Sequence, residues 1–220
     1  MNKKLKKFQI DYTGLILRIS IMSFFIMLNG TVHSQYISKS MIGLKGPVKE
    51  ITETTFRVNS FTNEKNHMNT RIIHFNKNGE TLSVSDSIFN TATTYFHKDG
   101  KVVSAEIRND SVTREKYNWI DDSTYQIINE SNEIRAVVKL DSVGRIIQWD
   151  EPWGWKEEYI YDGLWIVTRK WYSADAEEPT TLNSRYNNFK VDEYGNIVSY
   201  ESNMLVINMH IFHAIKYYEQ

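Results

Sequence analysis

The chain has 220 residues, of which 41% are hydrophobic, 13% aromatic and 24% charged, with 26 basic and 27 acidic side chains. That composition excludes a disordered chain and suffices for one domain or two small ones. Cysteine is absent, which excludes disulfides, thiolate metal sites, a cysteine nucleophile and a lipid-modified N-terminal cysteine, so packing alone must hold the fold.

Residues 1–34 differ in kind from the rest. Lys3, Lys4, Lys6 and Lys7 are followed by the apolar run Ile19-Ser20-Ile21-Met22-Ser23-Phe24-Phe25-Ile26-Met27-Leu28, and then by Thr31-Val32-His33-Ser34. A basic start, a short apolar core and a small-residue site are the order of a secretory signal, with cleavage expected after Ser34. The alternative is a retained anchor, but Leu15 to Leu28 is only 14 residues with Arg18 inside, and a helical span needs about 20. Without those 34 residues the chain keeps 21 basic and 26 acidic side chains, a net charge of −5. Nucleic acid, which selects a basic face, is therefore not an expected partner.

From Leu44-Lys45-Gly46-Pro47-Val48-Lys49 onward a unit recurs: an apolar residue, three mostly polar residues, glycine, a polar residue and an aliphatic strand. Its copies begin at Phe75 with Gly79, Phe96 with Gly100, Leu140 with Gly144 and Val191 with Gly195. Gly79 and Gly100 are 21 residues apart, and Gly144 follows 44 later, which places a degenerate turn near residue 122, within Tyr117 to Tyr125. A shortened turn is expected at Gly163, and the longer interval to Gly195 reads as a surface loop over Ser173 to Thr181. Glycine supplies the positive φ of the turn, the Asn or Asp before it tolerates left-handed backbone, and β-branched residues then favour extension. Ile134, Ala136, Val138 and Leu140 share one strand face, as do Leu205, Ile207, Met209 and Ile211.

A lone hairpin is marginal in water, so neighbouring units must pair to bury such faces. The expected fold is all-β: repeated antiparallel hairpins over residues 35–220, forming one long twisted sheet, curved or partly rolled. No helix is expected after the signal, since even Ile211 to Tyr218 is rich in β-branched and aromatic residues.

Asp141, Gly144, Arg145 and Ile146, with Asp192, Gly195, Asn196 and Ile197, resemble the YD repeat of RHS-type proteins, and the Leu44 to Lys49 segment resembles the lead-in of short exported bacterial members, especially of Bacteroidetes. The resemblance covers roughly residues 44–200 and implies a hairpin-repeat protein outside the cytoplasm, periplasmic, outer-membrane-associated or extracellular. The family's Tyr is Phe75, Phe96, Leu140 or Val191 here, and its Asp is Asn76 and His97 in the first two copies. The large members form closed shells around a toxin domain; this chain is too small for that role.

Candidate chemistry is sparse. His210 and His213 are three apart and point to opposite faces of a strand, which argues against a shared metal, and neither a metal nor another cofactor is expected. His74 and His97 read as solvent-facing sheet residues. Asp150, Glu151, Glu157 and Glu158 surround Trp153-Gly154-Trp155, as a glycosidase pair would, yet Glu157 and Glu158 are adjacent and point apart on a strand. Five tryptophans, Trp149, Trp153, Trp155, Trp165 and Trp171, lie within 23 residues. They are either aromatic core or a wall for a glycan or protein partner, with Pro152 and Gly154 placing Trp153 in a loop. The expected function is a non-enzymatic exported binding or scaffold protein using these tryptophans. The alternatives are an envelope carbohydrate-active enzyme and a toxin-immunity partner.

Overall fold

The computed structural model describes residues 43–173, 178–204 and 207–219, all within the compact unit 34–220. The secretory-signal expectation, and Leu205 on the strand face named above, lie outside these residues.

Fourteen strands follow one another: β1 (Val48–Val58), β2 (Lys65–Phe75), β3 (Thr81–Asp86), β4 (Thr91–Lys98), β5 (Lys101–Arg108), β6 (Val112–Trp119) and β7 (Thr124–Ile128). The second half is β8 (Ile134–Leu140), β9 (Ile146–Asp150), β10 (Lys156–Asp162), β11 (Trp165–Tyr172), β12 (Thr180–Val191), β13 (Ile197–Met204) and β14 (Ile207–Tyr217). Every strand pairs antiparallel with its neighbours in sequence, and β1 pairs with β14 from Val48↔Tyr217 to Val58↔Asn208. The all-β hairpin architecture is as the sequence implies. Its openness is not: the sheet closes completely into a barrel. Closure removes the two unpaired edges that a partly rolled sheet would expose.

The repeated turn builds one end of this barrel. Odd-to-even connections lie at one end and even-to-odd connections at the other, so the turns around Gly79, Gly100, residue 122, Gly144, Gly163 and Gly195 all share an end with the chain's approach to β1. The spacing near 21 residues is two strands and two turns. At Asn76, Asp141 and Asp192 the side-chain Oδ1 accepts the backbone N–H two and four residues on, at 2.8–3.0 Å. Gly79, Gly144 and Gly195 take φ of 85°, 88° and 79°. The Gly100 copy is different in kind. Lys98 pairs directly with Lys101, leaving a two-residue loop with Asp99 and Gly100 at φ 53° and 75°. This is the Asp-Gly loop whose twist matches a hairpin, and a bulge between Phe96 and His97 absorbs the register change. At the other end, Asn129 to Glu133 and Glu151 to Trp155 close with the same backbone bonds, Asn132 and Gly154 supplying the positive φ.

Alternation sorts the side chains. Trp119, Tyr125, Val138, Trp149, Glu157 and Trp171 are successive cross-strand partners from β6 to β11 and form one interior row. The main core gathers Tyr95, Tyr117, Tyr125, Ile127, Val138, Trp149 and Tyr159, and a second cluster joins Val48, Ile51, Ile73 and Phe75. Large aromatics suit this position because a barrel's interior widens with strand number. Outside, Thr94, Glu106 and Arg114 form one cross-strand row and Lys139, Gln148, Glu158 and Lys170 another.

Candidate functional site

The five tryptophans are distributed over three environments. Trp149 is 3% exposed, and its Nε1 donates to Glu151 Oε1 at 3.0 Å. Trp155 Nε1 donates to Glu157 Oε1 at 3.0 Å, and the Arg169 guanidinium lies 5.0 Å from the Trp171 ring centre. Trp155 and Trp171 therefore dress one interior ion pair, beside which Trp149 sits as the cross-strand partner of Glu157: Arg169 Nη2 donates to Glu157 Oε2 at 2.6 Å, and Tyr159 Oη donates to the same carboxylate. Trp153 stands in the β9–β10 turn with 57% of its surface exposed. Trp165 packs against the rings of Tyr186, Phe189 and Tyr200 at 4.8–4.9 Å between centres.

Glu157 and Glu158 do point apart. Glu157 is buried and all its partners are interior, whereas Glu158 bonds Lys156 at 2.7 Å and Tyr172 at 2.8 Å on the outer wall. A carboxylate that accepts from Arg169, Tyr159 and Trp155 at once is organised as a packing acceptor. His210 and His213 likewise face opposite ways. His210 contacts Ser199 and Lys65 outside; His213 faces the lumen. His74 is an outer-wall residue, 3.2 Å from Glu50, while His97 is half-buried and its pKa is lowered by that burial. No group of three or more His, Cys, Asp or Glu among the described residues could hold a metal ion.

The lumen contains a cavity of about 440 Å³ lying where β10 to β14 approach β1 and β2. Its aromatic wall is Tyr159, Tyr161, Trp165, Tyr186 and Tyr200, and Ile51, Ile73, Ile166 and Ile197 supply aliphatic surface. Its polar pole is a row across the closing seam: His213 on β14, Glu53 on β1 and Arg71 on β2 are direct cross-strand partners. Arg71 Nη2 is 3.2 Å from Glu53 Oε1, and His213 Nε2 is 3.1 Å from Glu53 Oε2. The other ring nitrogen of His213 lies 2.8 Å from the Ile197 carbonyl, which can only accept. Burial disfavours the Glu53 carboxylate, but the Arg71 charge and the His213 bond outweigh it and hold its pKa down to about 2. Burial raises the Tyr200 phenol well above the ordinary tyrosine range, with the nearby Glu53 charge adding to it.

Most other polar groups on the cavity are already engaged. Tyr161 Oη donates to Ile146 O at 2.8 Å and Tyr186 Oη to Ile166 O at 2.9 Å. Arg145 binds Asp141, with Nη2 to Oδ2 at 2.6 Å, and also the Gly163 carbonyl. The mouth is bordered by Gly43, Leu44 and Lys45. Asn196, 2% exposed, anchors that segment: its Oδ1 accepts from Lys45 N at 2.6 Å and its Nδ2 donates to Lys45 O at 3.0 Å.

Of the tryptophans named from the sequence, Trp165 lines this cavity, whereas Glu53, Arg71, Tyr200 and His213 were missed as a group. Glu53 and His213 are 160 positions apart, and only closure brings them together. No protein-family model matches the chain, and no curated protein sequence matches it.

Proposed function

We propose that the protein is an exported, non-enzymatic binding protein built from YD-like hairpin repeats, and that its ligand site is the barrel lumen. The observation that carries this reading is the cavity itself. Ligand sites are concave, mostly apolar, roughly 300–1,000 Å³ and supplied with a few directed polar groups. A lumen of about 440 Å³ with five aromatic rings and a Glu53–Arg71–His213 pole fits each criterion. Trp165 is the member of the tryptophan set that lines it.

The outer wall supports a barrel that meets water. A lipid-facing barrel needs an apolar outward band, whereas the outward rows Thr94-Glu106-Arg114 and Lys139-Gln148-Glu158-Lys170 carry charge across β4 to β6 and β8 to β11. Among the described residues no helix is long and apolar enough to cross a membrane.

The test uses the neutral probe N-phenyl-1-naphthylamine, whose fluorescence rises in apolar surroundings. The full chain should bind it saturably at one site. Filling the lumen by Ile51→Phe or Ile166→Phe should abolish binding, and Trp153→Ala in the exposed loop should leave it unchanged. Binding that survives both filled variants and disappears with Trp153→Ala moves the site to the outer surface and overturns the lumen assignment.

A further inference from the structure

The charges that reach the cavity are not balanced. Lys45, Arg71, Arg145 and His213 line it, against the single carboxylate Glu53. That carboxylate is already held from both sides, by Arg71 on β2 and His213 on β14. The acids that offset the arginines stand behind them. Asp141 pairs with Arg145 from the turn, and Asp86 follows Arg71 in the interior row on β3; neither lines the cavity. Lys45 has no ion-pair partner among the described residues.

Hydrogen-bond accounting points the same way. His213 must give one proton to the Ile197 carbonyl, and its other nitrogen faces Glu53 Oε2 at 3.1 Å. Glu53 is thus already held by Arg71 and His213, and the Arg71 guanidinium is the permanently charged donor of the cavity's polar pole, with Asp86 beyond it on β3. Beside it the Tyr200 hydroxyl makes no hydrogen bond to another described residue, although its ring packs on Trp165, Tyr186 and His213. A planar guanidinium and a phenolic donor at the end of an aromatic slot are suited to a carboxylate.

Resting on the lumen reading, we infer that the ligand is a small organic monoanion with a flat apolar body, its carboxylate-like head received by Arg71 and Tyr200 and its body held between Trp165, Tyr186 and the isoleucine wall. A cationic ligand would meet Arg71 with only one, already engaged, carboxylate to compensate it. A neutral apolar ligand would leave the Tyr200 donor buried without an acceptor, which weakens its binding.

The experiment compares 2-naphthoate, 2-naphthamide and 2-naphthylmethylamine by calorimetry on the full chain. The carboxylate should bind at one site, at least tenfold more tightly than the isosteric amide, with the amine weaker than both. Arg71→Gln, with its fold checked by circular dichroism, should reduce the carboxylate to the level of the amide, and Tyr200→Phe should weaken it several-fold while preserving the ring packing. If Arg71→Gln does not fold, the ratios in the unaltered chain and in Tyr200→Phe decide. Equal binding of acid and amide, a preference for the amine, or an acid preference that persists in folded Arg71→Gln overturns the assignment. If the three probes fail while N-phenyl-1-naphthylamine still binds, the anion inference falls and the lumen reading stands; if that dye also fails, the lumen reading falls first.

Discussion

Asn196 shows how one side chain does two jobs that sequence reveals unequally. As the residue after Gly195 it belongs to the turn, and its backbone N–H donates to Asp192 Oδ1 at 2.8 Å. Its amide also pairs with both backbone groups of Lys45, 151 positions away, and donates to Tyr217 Oη at 2.8 Å. The turn role was legible from the repeat; the clamp was not, because nothing local to Asn196 announces a distant partner. Asn196→Ala would leave the Lys45 N–H and C=O without their partner, and about 2 kcal/mol of stability should be lost in urea denaturation. Asn196→Asp should recover only part of it, since a carboxylate accepts from Lys45 N but cannot donate to Lys45 O. Full recovery by Asp would mean that the amide donor contributes nothing.

At the scale of elements, the glycine series was read correctly as a set of hairpin turns and too uniformly as one turn. Gly79, Gly144 and Gly195 end three-residue loops locked by an Asx side chain, whereas Gly100 completes a two-residue loop. The shared pattern of polar residues before glycine hides this difference because both geometries demand positive φ at that place. At the opposite end the turn where Asn132 replaces glycine at φ 62° went unread, whereas Pro152 and Gly154 had marked the loop that holds Trp153, although Glu151 takes the Asx position there. Strand faces were more legible: Ala136, Val138 and Leu140 are buried together, and so are Ile207 and Ile211, whereas Ile134, expected on the first of these faces, lies past a bulge and is exposed. Gly100 offers a clean measure of the backbone term, since an added Cβ would meet nothing nearer than Glu80 Oε1 at 3.9 Å. Gly100→Ala should therefore cost about 1 kcal/mol from φ alone, and Asp99→Gly should cost little, because Asp99 already sits at φ 53°. A loss of several kcal/mol at Gly100 would show that space around the turn, and not its backbone, is limiting.

For the whole molecule the decisive event is closure, which no local pattern encodes: alternation says which residues share a face, but not that β1 will find β14. The chemistry of the seam explains the match. Glu53 meets Arg71 and His213 inside, while Glu50 meets His74 at 3.2 Å and Lys216 at 2.7 Å outside, so each acid of β1 bridges a base on β2 to a base on β14. These pairs favour one register, since a one-residue slip would send Glu53 to the outer wall. The same device makes closure acid-sensitive. Glu53 ionises near pH 4.5 when exposed and at about 2 in the barrel, so its contribution is complete above pH 4.5 and disappears as pH falls towards 2. A shift of that size corresponds to roughly 3 kcal/mol. Urea midpoints measured between pH 7 and pH 2 should accordingly decline through that window. In Glu53→Gln the decline should be much shallower, from a pH 7 stability about 3 kcal/mol lower, because Arg71 then loses its ion-pair partner and keeps only the more distant Asp86 to offset its buried charge. An undiminished acid transition in that variant would place the pH dependence elsewhere and leave the seam held by its backbone ladder alone.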